Sequence, residues 1–212
     1  MDAQAFIESH LRVGRSALAP EISLYTATAL TPLWLATEDF LRQHNMAPPY
    51  WAFAWPGSEA LACFILANPQ LVAGKKVLDF AAGCGLAGIA AAKAGAAKVE
   101  AAEIDLLAVE AIKMNASLNN VEITVACKDV IGQQGGWDII LTGDVCYEQQ
   151  MAARILAWLK AQAKCSIILM ADPGRRYKPD QIGFKKAEYT VPTSLELEDS
   201  EYKIVTIYEI LA

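Results

Sequence analysis

The stretch DFAAGCGLAG, residues 79–88, constrains this chain more than any other. Gly83, Gly85 and Gly88 stand in G-x-G-x-x-G spacing, directly after an apolar run over 77–80 and directly ahead of an Ala-rich helical pattern over 86–94. Glycines there let the backbone turn tightly and come close to a ligand. A strand, a glycine turn and a helix in that order begin a βαβ unit, whose strands pair in parallel.

The rest of the chain repeats that order. Strand patterns over 99–102, 123–127, 138–141 and 166–171 alternate with helical patterns over 106–119 and 149–163, the first with Asp105 as N-cap. SIILMA, residues 166–171, is apolar throughout, as a strand buried on both faces is. The finish differs: strand patterns over 187–191 and 203–210 have a loop between them and no helix, which predicts a hairpin with an antiparallel member. The expected fold is a doubly wound, Rossmann-like α/β sheet, mostly parallel with an antiparallel final strand. Residues 1–70 read as helical in pieces. Within them APPYWAFAWPG, residues 47–57, is stiff and aromatic, and is expected to lie over the carboxyl edge of the sheet, where ligands bind in open α/β folds. No repeat, low-complexity tract or linker divides the 212 residues, so a single domain over 1–212 is expected.

Composition serves to exclude. Mean hydropathy is positive, yet no apolar run reaches the roughly 18 residues of a membrane span, so no membrane partner is expected. The first 20 residues carry no apolar block with a cleavage site, and no signal peptide is expected. Five cysteines without a C-x-x-C pair are expected to be mostly small buried hydrophobes in a reducing, cytoplasmic compartment. The two histidines, His10 and His44, and the absence of H-E-x-x-H argue against a metal or histidine mechanism. A net charge of −6 disfavours nucleic acid as a partner.

Glu103 follows Gly83 by 20 residues at the end of the second strand pattern, where an acid can accept from ribose hydroxyls. That suits any adenosine ligand. Asp79 discriminates, because a carboxylate beside the loop would repel the pyrophosphate of NAD. S-adenosylmethionine has no phosphate there and carries an ammonium and a cationic sulfur. The rival reading of Asp79 is that it only hydrogen-bonds loop amides. Asp129, after the third strand pattern, is a candidate acceptor for the adenine amino group or else a solvated loop acid. On balance the loop reads as a methyl-donor site rather than a dinucleotide site.

VLDFAAGCG, AAEID, WDIILTGDVCYE and the antiparallel finish resemble a seven-β-strand S-adenosylmethionine-dependent methyltransferase. PYWAFAWPG, GDVCYE and DPGRRY together resemble, more narrowly, the electron transfer flavoprotein β-subunit lysine methyltransferase family. The resemblance runs over nearly the whole chain, including residues 18–34. It implies a seven-stranded sheet, S-adenosyl-L-methionine as cofactor and the flavoprotein β-subunit as protein substrate. It maps the family's D-x-x-Y onto Asp144 and Tyr147 and its W-P-G onto Trp55, Pro56 and Gly57, with Trp51 nearby. One position departs: Ala81 stands where the first loop glycine is usual, which affects the closest backbone approach.

The implied roles follow. Asp144 and Tyr147 are catalytic candidates. Trp55, Asp79, Ala81, Gly83, Gly85, Glu103, Asp129 and Asp144 are cofactor-binding candidates, and Trp51 and Arg175 substrate-binding ones. Methyl transfer to an amine is an in-line displacement that needs alignment and a free lone pair. A lysine, with a pKa near ~10.4, must first lose its proton. A dry aromatic pocket beside a sulfonium lowers that pKa. Asp144 is then expected to capture and orient the ammonium, and Tyr147 to offer a hydrogen bond and a ring face. The rival readings are a helix cap for Asp144, a packing role for Tyr147 and a core position for Trp51. Arg175 and Arg176 are placed to meet an acidic substrate or a loop carboxylate, with a solvated turn as rival for Arg176. Glu148 reads as a helix-start acid. APPY departs from the N-P-P-Y box of base-methylating enzymes at Ala47, which cannot bond an amino group. The competing functions are methylation of another protein or a small amine, a silent cofactor-binding module, and an NAD-dependent oxidoreductase.

Overall fold

In the computed structural model, residues 2–27 and 48–212 are described. Elements are numbered over those residues. A first helix, α1 (Ala3–His10), precedes the short strands β1 (Arg12–Arg15) and β2 (Ser23–Thr26). Then come α2 (Pro56–Ala67), β3 (Lys76–Phe80), α3 (Leu86–Lys93), β4 (Lys98–Glu103), α4 (Leu106–Leu118) and β5 (Thr124–Cys127). β6 (Ile139–Gly143), α5 (Gln149–Gln162), β7 (Ile167–Asp172), β8 (Gly183–Pro192) and β9 (Tyr202–Ile210) complete the order.

Seven strands form one sheet in the order β5-β4-β3-β6-β7-β9-β8. Pairing is parallel from β5 to β7, and β9 runs antiparallel to both β7 and β8. The final strand therefore inserts between its two neighbours, the antiparallel finish that the loop-only connection predicts. β8 begins earlier than the 187–191 pattern suggests, with a register shift between Lys185 and Ala187. The chain runs outward from β3 to β5 and returns to β6 on the other side of β3. That reversal opens a crevice at the carboxyl ends of β3 and β6.

Alternation along the strands separates two cores. Val77, Val99, Ile139, Leu141 and Leu169 pack with Leu61 and Ile65 of α2 and Ile89 and Ala90 of α3. Leu78, Phe80, Ile140, Ile168 and Met170 pack on the opposite face with Ile155, Trp158 and Leu159 of α5. Asp105 caps α4 by accepting from the Leu107 amide, as its position predicts. Glu148 caps α5, accepting from the amides of Gln150 and Met151.

The N-terminal section corrects the helical reading of residues 1–70. β1 and β2 pair as an antiparallel two-stranded sheet. Four-residue strands carry too little periodicity to be seen in sequence, and long-range side chains hold this pair. Asn115 of α4 accepts from the Tyr25 amide at 2.7 Å, and Asn119 accepts from the Ser23 amide at 3.0 Å. Glu59 of α2, also buried, accepts from the Ser16 hydroxyl and from the amides of Ala17 and Leu18. The remainder of the 18–34 segment, His44 and Ala47 lie outside the described residues. The cysteines also depart from expectation: Cys84 and Cys146 are buried and Cys63 is partly so, but Cys127 and Cys165 are exposed. Cys127 ends the sheet's outer strand β5, and Cys165 sits in the turn after α5, where apolar neighbours in sequence do not mean burial.

Candidate active site

The loop between β3 and α3 is built on left-handed residues: Ala81, Gly83 and Gly85 have φ of 53°, 54° and 80°. Gly85 is the N-cap of α3, and a Cβ there would lie 3.1 Å from Ile112. Gly88, one turn on, approaches Asp79 closely enough for its amide to donate to Oδ2 at 2.7 Å. Asp79 is buried, and its carboxyl is pushed up to about 8 by that burial, against the Gly88 hydrogen bond and with a small push from Glu103. It fastens the first turn of α3 to β3, the amide-bonding role among its two readings. Glu103, at the end of β4, accepts from the Gly83 amide at 3.0 Å and from the Ile104 amide at 2.9 Å. The loop and the ribose-type acid are thus brought together. Ile104 and Leu106 beside it are 75% and 74% exposed, two apolar side chains facing out. Asp129 is exposed, accepting from the Ile131 amide and pairing with Arg154 at 2.6 Å. One of its oxygens is thus engaged by a backbone amide and the other by an arginine.

Asp144 stands just past β6 with φ of 58° and is buried. Its Oδ2 accepts from the Gly57 amide at 2.5 Å, in the first turn of α2, where helix N–H groups lack intrahelical partners. A Cβ on Gly57 would fall 2.4 Å from that oxygen, so the contact requires glycine. Its Oδ1 accepts from Arg175 Nε at 2.8 Å. Burial pushes the Asp144 carboxyl up to about 6, opposed by the Arg175 guanidinium and the Gly57 amide. Asp144 does not cap the helix that follows it, where Glu148 is the N-cap; its carboxylate instead meets the start of α2.

Arg175 also donates to both oxygens of Glu198 and lies over the Trp55 ring, 5.7 Å from its centroid. Of its two expected partners, the loop carboxylate is the one in place. Trp55 is the N-cap of α2, and its indole donates to the Tyr50 carbonyl at 2.7 Å. Tyr147 is 48% exposed, with its ring 5.6 Å from that of Tyr50. Burial of its inner half pushes the phenol up. Tyr147, Arg175 and Glu198 line an open cavity of about 530 Å³. Trp51 is corrected: it is buried in a core of Ile7, Leu11, Ala108, Ala111 and Met114, and offers no open face to a substrate. Its neighbours in sequence, Tyr50 and Trp55, face the site instead. Arg176 is exposed and stacks on Tyr177.

Three residues of this end carried no assigned role in sequence. Asp172 closes β7 and accepts from the amides of Gly174 and Arg175, both at 2.7 Å. Its Oδ2 has no hydrogen-bond partner among the described residues, and burial pushes its carboxyl up. An acid ending an apolar strand before Pro-Gly was signal enough to find it. Gly57 was visible as part of W-P-G, without its contact. Glu198 had no signal, since nothing in an acidic loop marks which acid turns inward.

Among the described residues no helix is long and apolar enough to cross a membrane, and no group of three or more His, Cys, Asp and Glu is placed to hold a metal ion. Residues 60–163 match the family model for ribosomal protein L11 methyltransferase (PrmA). The solved fold of magnesium protoporphyrin IX methyltransferase from Synechocystis PCC 6803 superposes with a TM-score of 0.53 at 16% identity, covering 72% of this chain and 81% of that one. Ribosomal protein L11 methylase from Lactobacillus delbrueckii subsp. bulgaricus gives 0.50 at 19%, covering 72% and 78%. The sequence relatives are much nearer. The electron transfer flavoprotein beta subunit lysine methyltransferase of Danio rerio is 36% identical over 207 residues, covering 93% of this chain and 79% of that protein. The protein of the same name from Homo sapiens is 34% identical over 219 residues, covering 98% and 81%. Identity of that order over nearly the full length, on a methyltransferase sheet, makes the chain a member of the electron transfer flavoprotein beta subunit lysine methyltransferase family.

Proposed function

We propose that this protein transfers a methyl group from S-adenosylmethionine to lysine on the β-subunit of electron transfer flavoprotein. The observation that carries the reading is that the glycine loop with Glu103 and the Asp144–Tyr147 pair share one carboxyl edge of the sheet, in a chain whose relatives bear that name. The residues suit the cofactor. Among the described residues the space beside Gly83 is open, the nearest of their atoms to an added Cβ being Trp51 Cα at 4.0 Å. Glu103 stands at that loop to accept from a ribose, and exposed Ile104 and Leu106 give a purine ring an apolar wall. When bound, S-adenosylmethionine supplies a methyl group on a cationic sulfur.

At the acceptor end the chain's task is to align an amine and let it lose its proton. An isolated anionic Asp144 would oppose that loss by stabilising the ammonium. Arg175 on Oδ1, a guanidinium shared with Glu198, offsets part of the carboxylate's charge, so Asp144 can orient an amine through a hydrogen bond while holding its proton less tightly. The Tyr147 and Tyr50 rings offer faces to a methylated ammonium. A net charge of −6 supports a protein rather than a nucleic acid as acceptor. Cysteines without disulfides support a reducing compartment such as the cytoplasm.

The test is a transfer assay with methyl-labelled S-adenosylmethionine, cell extract and the purified flavoprotein subunit, run with wild type and Asp144→Ala. Label on the subunit that disappears in the variant supports the proposal. Label confined to small molecules would reassign the acceptor, and cofactor binding without any transfer would make the chain a silent binding module.

A further inference from the structure

We propose that Glu198 is a positioning residue for methyl transfer, acting through Arg175 to fix the Asp144 carboxylate. This rests on the reading above that Asp144 belongs to the acceptor end of the site. Three separate loops supply the three side chains: Asp144 follows β6, Arg175 follows β7, and Glu198 comes from the connection between β8 and β9. The insertion of β9 beside β7 is what carries that connection back to the site.

The guanidinium is planar and rigid, and two of its edges are occupied. Nε and Nη2 face Asp144 Oδ1, at 2.8 and 2.5 Å. Nη1 and Nη2 face the two oxygens of Glu198, at 3.0 and 2.5 Å. Fixing the Glu198 edge therefore fixes the direction in which the other edge presents its protons to Asp144. The side chains of Glu198, Asp144 and Arg175 are 7%, 10% and 18% exposed, so these charge-assisted bonds act away from water and hold geometry well. Glu198 is itself braced. Its amide donates to the Ser194 carbonyl at 2.9 Å, and Lys203 lies 3.7 Å from its Oε2. At the other end Gly57 fixes the second Asp144 oxygen. The carboxylate plane is thus set from both sides, on one by the start of α2 and on the other by a residue 54 positions away that sits behind an arginine. Glu198 also lines the cavity beside Tyr147, so direct contact with the acceptor is the rival role to be separated.

The experiment measures kcat and acceptor KM on the purified flavoprotein subunit, with the S-adenosylmethionine Kd by calorimetry. For Glu198→Ala the expected result is a loss of about tenfold or more in kcat, with KM and Kd within about twofold of wild type. Glu198→Gln, which keeps one acceptor oxygen for the fork, recovers part of the loss. In an Arg175→Ala background Glu198→Ala has no further effect, because its route to Asp144 is already gone. Arg175→Lys serves as the background if Arg175→Ala does not fold, since one ammonium cannot hold both carboxylates in fork geometry. Losses that multiply in these backgrounds, or a raised KM at intact kcat, would show direct contact with the acceptor and overturn the proposal. Wild-type kcat in Glu198→Ala would do so as well. Asp144→Asn separates the two levels: wild-type kcat there removes the underlying reading. Its collapse alongside an unaffected Glu198→Ala removes only the positioning role.

Discussion

Ala81 holds a left-handed backbone, φ 53°, that costs an L-residue with a Cβ roughly 1–2 kcal/mol. Glycine would relieve that cost but would lose more entropy on folding, so Ala81→Gly is expected to raise stability by about 0.5–1 kcal/mol in urea melts. An unchanged or lower midpoint would mean that the loop is not strained at Ala81. Two residues back, Asp79 makes a pH prediction. In the unfolded chain it ionises near 3.8, while burial keeps it protonated in the folded chain up to about 8. Between those values the folded chain holds the extra proton, so this group makes folding weaker as pH rises. Asp79→Asn keeps an oxygen for the Gly88 amide and cannot ionise. Its urea midpoint should fall less than that of wild type between about pH 5 and about pH 8, and exceed wild type at the upper end. Parallel curves for the two proteins would sink the argument. The sequence pointed to Asp79 through charge, as a partner for a cationic ligand. What it could not show was depth, and depth makes Asp79 a fastener of α3.

Helix α4 joins the parts of the molecule that sequence reading kept separate. Asn115 is fully buried; its Oδ1 accepts from Tyr25 in β2 and its Nδ2 donates to the Cys84 carbonyl inside the glycine loop at 2.9 Å. One side chain therefore ties the N-terminal hairpin to the glycine loop. Asn115→Ala leaves a partly buried amide and a buried carbonyl without this partner, at roughly 1–3 kcal/mol for the unsatisfied groups. The expected outcome is a stability loss of about 2 kcal/mol in urea together with a weaker Kd for S-adenosylmethionine. A stability loss with Kd unchanged would show that the loop keeps its shape without Asn115. The elements of the main sheet were legible because each is long enough to show a period or an unbroken apolar run: β3, α3, α4, α5 and β7 fall within a residue or two of their expected bounds. β1 and β2 were not, since their stability comes from Asn115, Asn119 and Glu59, 41 to 96 positions away, and no local pattern encodes such partners. Trp51 failed for a related reason. The Pro-rich segment meets Asp144 through Gly57 and Arg175 through Trp55, but a tight turn at residues 50–52 points one Trp inward and leaves Tyr50 outward.

At the scale of the whole molecule, the site proposed for the cofactor exists only when the sheet is assembled. The loop comes from the end of β3, its acid partner from β4, its brace from α4, and the acceptor end from β6, β7 and the last hairpin. An unfolded chain presents none of these together, so a ligand that fits this edge binds the folded state alone and stabilises it by mass action. At a concentration of 100 times its Kd, S-adenosylmethionine should add about 2.7 kcal/mol. For a chain of this length each kcal/mol moves Tm by roughly 2–4 °C, so the expected rise is about 5–11 °C. NAD at the same concentration tests the rival reading of the G-x-G-x-x-G spacing. Its pyrophosphate would sit on the glycine loop and its adenosine ribose at Glu103, the same edge proposed for the methyl donor. In a chain whose sequence relatives are methyltransferases, NAD should leave Tm unchanged. A thermal melt with each ligand decides it: a shift with NAD and none with S-adenosylmethionine would return the loop to dinucleotide binding. The reverse result ties the edge that seven elements build to the methyl donor.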